Sequence, residues 1–85
     1  MEIRVNICGR HYHRAEKLPR VITVAEGSSL DQLLQKLQDQ LGDSPLPKTA
    51  LVILSGRHLG TLVAHRSAEL RPDDELTILI PMAGG

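Results

Sequence analysis

The 85-residue sequence contains no phenylalanine, no tryptophan and a single tyrosine. Its core must therefore be aliphatic, built from leucine, isoleucine and valine. Stacking of bases on aromatic rings, a common way to hold single-stranded nucleic acid, is not open to it. Charge of one sign is missing too: ten basic and ten acidic residues leave a formal net charge of zero. That removes the electrostatic footprint of a DNA- or RNA-binding domain. One cysteine, Cys8, excludes an internal disulfide and a cysteine-based zinc site and fits a reducing compartment. No apolar run approaches the ~20 residues of a membrane span. Met1-Glu2-Ile3-Arg4-Val5 lacks the basic region and long apolar stretch of a secretion signal. The expectation is a soluble cytoplasmic protein with no nucleic-acid and no membrane partner, folded as one domain over residues 1–85 with one modest core.

What is present has a clear periodicity. Glu2 to Ile7 alternates polar and apolar, which predicts a half-buried strand with Ile3, Val5 and Ile7 facing the core. Cys8 has the opposite parity and belongs to the other face. A polar loop follows from Gly9 to Lys17. The β-branched run Val21 to Val24 predicts a second strand over about Arg20 to Ala25, antiparallel to the first, with Pro19 at its start or on an edge. Ser28 or Ser29 is placed to cap a helix, and Asp31 falls in its first turn, where the helix dipole favours an anion. Leu30, Leu33, Leu34, Leu37 and Leu41 recur at helical spacing, which gives an amphipathic helix of roughly three turns stopped at Gly42.

Asp43 to Lys48 reads as a loop, and Ala50 to Leu54 as an interior strand buried on much of both faces. Ser55 to His58 reads as a turn, Leu59 to Ala64 as a short edge strand, Leu70 to Glu75 as a polar turn, and Leu76 to Ile80 as the last strand. The order is β-β-α-β-β-β: one main helix on one face of a mixed sheet of four to five strands, an α+β plan. The first and last strands are expected side by side in the middle, an adjacency that the sequence alone does not fix. If Ile78 faces the core with Leu76 and Ile80, then Leu79 faces out, with Cys8 beside it.

Few residues offer chemistry. His11-x-His13, His58 and His65 are possible metal ligands, but Arg10 and Arg14 oppose a cation and no third ligand has a defined position; no metal is expected. The cluster Arg10, Arg14, Lys17 and Arg20 suits an acidic partner surface. Nothing pairs Cys8 with a base. Asp73, Asp74 and Glu75 read as a solvated turn. There is no Ser/His/Asp or phosphate-loop arrangement, so the chain has no catalytic constellation of its own.

The element order resembles the β-grasp, or ubiquitin-like, fold. Three segments narrow the resemblance. Leu70-Arg71-Pro72-Asp73-Asp74-Glu75-Leu76 is similar to the turn before the last strand of the small sulfur carriers. Val24-Ala25-Glu26-Gly27-Ser28-Ser29-Leu30-Asp31-Gln32-Leu33-Leu34 is similar to the strand-to-helix passage shared by MoaD and ThiS. Ile80-Pro81-Met82-Ala83-Gly84-Gly85 resembles the Pro-x-x-Gly-Gly terminus of the MoaD group, the small subunit of molybdopterin synthase. The resemblance spans essentially the whole chain. Ile7, Cys8, Ile78 and Leu79 stand where that group often has aromatics, and Ile80 where it often has a first proline. Pro81 and the chain length set the sequence nearer to MoaD than to ThiS.

The resemblance implies that the chemistry belongs to the carboxylate of Gly85. An ATP-dependent activating enzyme (MoeB/ThiF-like) would adenylate it, and a sulfur donor would convert it to a thiocarboxylate. The large subunit of molybdopterin synthase (MoaE-like) would take the tail and pass sulfur to a pterin precursor, in molybdenum or tungsten cofactor biosynthesis. The chain itself would bind no cofactor; ATP and the sulfur donor are used through the activating enzyme. Gly85 is then the reacting residue, and Gly84, Ala83, Met82, Pro81, Leu79 and Cys8 the partner-binding ones. The residue types agree: the glycines offer no side chain to a narrow tunnel, Pro81 ends the strand because it has no N–H to give, and five residues reach at most about 17 Å. Other readings remain open at this point: a sulfur carrier for thiamine or cysteine synthesis, a ubiquitin-like modifier joined through Gly85 to lysines, or a β-grasp binding domain with no tail chemistry.

Overall fold

Alternation along the first strand decides which face of the sheet is buried. In β1 (Glu2–Cys8), Ile3 and Val5 are buried and Ile7 is half-buried against the core, while Glu2, Arg4, Asn6 and Cys8 are exposed. The structure, a computed structural model, describes residues 1–8, 21–42 and 46–81. The loop expected over 9–17, Pro19, Arg20, the basic cluster, residues 43–45, the side chain of Leu41 and the tail from Met82 to Gly85 lie outside the described residues.

β2 (Val21–Thr23) pairs antiparallel with β1, Ile22 opposite Ile3. It ends at Thr23, two residues before the Ala25 expected, and Arg20 lies outside the described residues. Val24 stays bonded, its N–H donating to the Met1 carbonyl at 2.9 Å, while the Met1 amino group donates to the Val24 carbonyl at 2.7 Å. The Ser28 N–H then reaches back to the Ala25 carbonyl and closes a turn through Gly27 at φ +82°.

α1 (Leu30–Leu41) begins at a reciprocal cap. The Gln32 N–H donates to Ser29 Oγ at 3.3 Å, and the Ser29 N–H donates to Gln32 Oε1 at 2.8 Å. Two orphan donors of the first turn are satisfied at once. Ser29→Ala should therefore lower stability by about 0.5–2 kcal/mol, read as a shift in the urea midpoint at unchanged slope. At the other end Gly42 adopts φ +59° and its N–H reaches the Gln38 carbonyl at 3.2 Å. Leu30, Leu33, Leu34 and Leu37 are buried against the sheet.

The remaining strands are β3 (Leu51–Leu54), β4 (Arg57–Thr61) and β5 (Glu75–Leu79). The sheet order is β2-β1-β5-β3-β4. β5 runs parallel to β1 and antiparallel to β3, and so occupies the centre, joining two antiparallel hairpins. One helix over one face of this mixed five-stranded sheet is the β-grasp arrangement. The core gathers the inward positions of the strands, among them Ile3, Val5, Ile22, Val52, Leu54, Leu76 and Ile78, under the leucine stripe of α1. It is wholly aliphatic, and no polar side chain among the described residues is buried.

The other strands differ from expectation as well: β5 starts and ends one residue earlier than the Leu76–Ile80 expected. β4 starts at Arg57, two residues earlier than the Leu59–Ala64 strand expected, because Ser55 and Gly56 complete the turn alone with φ +49° and +85°. Positive φ at both central residues is the geometry of a two-residue hairpin turn that matches the twist of its strands. β3 is buried on one face only: Val52 and Leu54 are fully buried, but Leu51 and Ile53 on the outer face are half-exposed. Its unbroken apolar run reflects an apolar sheet face that no element among the described residues covers.

Candidate functional site

The outer face of the sheet is organised by the register of its central strand. Leu79 on β5 is opposite Cys8 on β1 and Leu51 on β3, and Leu51 is in turn opposite Thr61 on β4. These side chains form one row. The next row is Asn6, Thr77, Ile53 and His58. Leu79 is 39% exposed, one of few large apolar side chains left so open. Nothing among the described residues covers this face, since α1 occupies the other. The face grades from apolar beside Leu79 to polar at the far end, where the Asn6 amide donates to Glu75 Oε1 at 2.9 Å.

The last strand leaves the sheet at the apolar end. The Ile80 N–H donates to the Cys8 carbonyl at 2.8 Å. Alternation turns the backbone of the next residue toward β3, and that residue is Pro81, which has no N–H. The ladder therefore stops where the tail begins. Pro81 is exposed. The structure thus brings Cys8, Leu79 and Pro81 together at one edge; Met82, Ala83, Gly84 and Gly85 continue from it outside the described residues.

The rim beyond β4 is a tight hairpin. Thr61 and Ala64 exchange backbone bonds of 3.2 and 3.1 Å, Gly60 pairs with His65, and the Arg66 N–H donates to the Leu59 carbonyl. The tip is Leu62-Val63. It is tied back to the start of β3 by bonds from the Leu62 N–H to the Ala50 carbonyl at 2.8 Å and from the Val63 N–H to the Lys48 carbonyl at 3.3 Å. His65 locks the hairpin to the helix: Nδ1 lies 3.0 Å from the Leu62 carbonyl oxygen and Nε2 2.6 Å from Asp31 Oδ1.

The two described histidines lie apart. His65 is half-buried on Asp31, His58 is exposed on the outer face, and His11 and His13 lie outside the described residues. Among the described residues no three of His, Cys, Asp or Glu are grouped to hold a metal. Asp74 lies at the surface, as expected of this acidic turn, and also orders it. Its carboxylate accepts from the Arg71 N–H at 2.8 Å and bonds Ser55 Oγ at 2.7 Å, which fixes the approach to β5. No helix among the described residues is long and apolar enough to cross a membrane.

Leu51 and Val63 carry no signal in the sequence, because their place at the end of the sheet where Leu79 lies exists only once β3 is set against both β5 and β4. A family model described as the ThiS family matches residues 5–85. No curated protein and no solved structure matches the chain.

Proposed function

Since the chain belongs to the ThiS family of ubiquitin-like sulfur carriers, we propose that it carries sulfur on the carboxyl carbon of Gly85 as the small subunit of a molybdopterin synthase. The observation that carries this reading is the foot of the tail: a central strand pinned to β1 by the Ile80–Cys8 bond and ended by Pro81 at the apolar edge of an uncovered sheet face. A fixed base and a segment that ends in Gly84-Gly85 suit delivery of a carboxylate into another protein's active site.

A carboxylate is a poor electrophile, so it must be activated. A Gly85 oxygen attacks the α-phosphorus of ATP in a ThiF/MoeB-like activating enzyme, and pyrophosphate leaves. The terminal sulfur of a donor persulfide then attacks the acyl carbon and AMP leaves. Two electrons from a thiol cleave the resulting acyl–S–S bond and release the thiocarboxylate. ATP and the persulfide are held by partners; this chain supplies the docking face, the reach of the tail and the reacting carboxyl group. Pro81, three residues before Gly84-Gly85, favours the molybdopterin branch, in which a MoaE-like large subunit takes the tail and a pterin precursor accepts the sulfur for the molybdenum or tungsten cofactor.

The test is the intact mass of the protein before and after incubation with ATP, activating enzyme and a sulfur source. The expected gain is one sulfur in place of one oxygen at the C-terminus; no gain with a competent activating enzyme would falsify the carrier reading. Sulfur transfer to the pterin precursor with the large subunit added separates this branch from carriers of thiamine or cysteine synthesis. Conjugates on lysines would identify a modifier instead.

Leu79 should matter to docking and little to folding. Leu79→Thr puts a β-branched residue that suits a strand in place of leucine but removes apolar contact area, so the KM of the activating enzyme for the carrier should rise about 5–30-fold with little change in kcat. An unchanged KM would mean that the sheet face is not the docking surface.

A further inference from the structure

We propose that the Leu62-Val63 turn is a second docking element for the ATP-using enzyme that adenylates the tail, with Val63 entering an apolar depression on that enzyme. The inference rests on the carrier reading above and adds a contact to it. Val63 is 69% exposed, more open than Leu79 or Val21. Turn tips ordinarily take Gly, Asn, Asp or Ser, each for a backbone or hydrogen-bonding reason. Here the tip is Leu-Val. Leu62 is accounted for, since it packs against the core. Val63 is not: its side chain contributes nothing to the buried cluster.

Its position says what should cover it. Leu79, Leu51 and Thr61 form one row across three strands. Beyond that row, at the end from which the tail departs, β5 continues into Pro81, and β4 gives way to the hairpin tip, whose Val63 N–H is bonded to the Lys48 carbonyl just ahead of β3. Two strand spacings, about 10 Å, separate β5, which leads into the tail, from β4, which leads into the tip. The five residues from Pro81 to Gly85 reach at most about 17 Å. A tail used to its last residue therefore draws this end of the sheet against the enzyme, and Val63 is on that end.

The tip is also held in place before any partner arrives. The Leu62 and Val63 amides are bonded to the carbonyls of Ala50 and Lys48, the Thr61–Ala64 pair closes the turn, and His65 anchors it to Asp31 on α1. An apolar side chain presented on a rigid backbone costs little entropy when it is buried in a partner.

The experiment is steady-state ATP–pyrophosphate exchange by the activating enzyme, with full-length carrier as the varied substrate. V63D should raise the KM for the carrier about tenfold, leave kcat within about twofold, and leave the melting temperature unchanged; V63I should keep the wild-type KM. V63S, milder in charge and volume, should move the KM the same way and guards against an effect of the new carboxylate alone. An unchanged KM for both V63D and V63S, with the wild type adenylated normally, overturns this inference and leaves the carrier reading standing. No exchange by the wild type overturns both. If the free wild-type carrier self-associates and V63D abolishes that association while the KM is unchanged, the tip serves a second copy of the chain and the proposal is overturned.

Discussion

A chain lacking Gly85 should melt at the same temperature as the full chain and give no detectable adenylate. The first half follows from where the fold is complete. Among the described residues the buried cluster includes none beyond Ile78, Ile80 packs on its edge, and the Ile80–Cys8 bond is the last described rung of the ladder. Stability is therefore set upstream of the tail. The second half is a matter of distance. Removing one residue draws the carboxylate back by about 3.3–3.6 Å. Reacting atoms must approach to about 3–3.5 Å, and a misplacement of about 1 Å already costs about 100-fold. The truncated chain should thus lose at least about 1000-fold in the exchange assay. Adding one alanine after Gly85 should be as damaging, because the carboxylate then overshoots. Both variants should still compete with the full-length carrier for the activating enzyme, since Leu79 and its neighbours are untouched. Adenylation of the truncated chain at the normal rate would mean that the reacting group is not the Gly85 carboxylate.

The sequence made some of this legible, and the division has a physical cause. Local periodicity carried β1, α1 and β5: strict alternation from Glu2 to Ile7, the leucine stripe with Ser29 ahead of it, and the short apolar run before Pro81. The outward direction of Leu79 followed from parity alone. What depended on pairing between distant segments was not readable. Ala50 to Leu54 looks the same whether its second face is covered or bare, and only the position of β3 between β5 and β4 shows Leu51 and Ile53 to lie on the open face. The start of β4 was displaced because Ser55, a non-glycine residue, adopts positive φ; its N–H donates to the Glu75 carbonyl and its hydroxyl meets Asp74. His65 looked like an isolated histidine because its partner, Asp31, is 34 positions away. Register is a non-local property, so a site assembled by register emerges only from the fold.

Gly60→Ala should be among the most damaging single substitutions outside the core, and it tests the link between the hairpin and docking. Gly60 has φ +129°, a backbone conformation that side chains rarely tolerate. A β-carbon there would also lie 2.4 Å from the Ala64 carbonyl oxygen and 3.1 Å from the His65 α-carbon. Both obstacles are backbone, so no change of rotamer relieves them. The hairpin would have to open, which breaks the Thr61–Ala64 exchange and disturbs the His65–Asp31 contact. The expected loss is about 2–4 kcal/mol, a large share of the roughly 4–13 kcal/mol that a domain of this size has to lose. That corresponds to a fall in melting temperature of roughly 10–25 °C. Gly56→Ala is the control. Gly56 also has positive φ, +85°, but nothing lies within 4 Å of an added β-carbon. It should cost only the conformational penalty, about 1–2 kcal/mol. Equal losses for the two variants would show that the close approach of Ala64 is not what requires glycine at position 60. Measured well below its own melting temperature, the Gly60→Ala carrier should also show a raised KM with the activating enzyme, as V63D does, because the tip that presents Val63 has moved. The Gly56→Ala carrier should not, since its turn lies at the opposite end of the sheet from the tail.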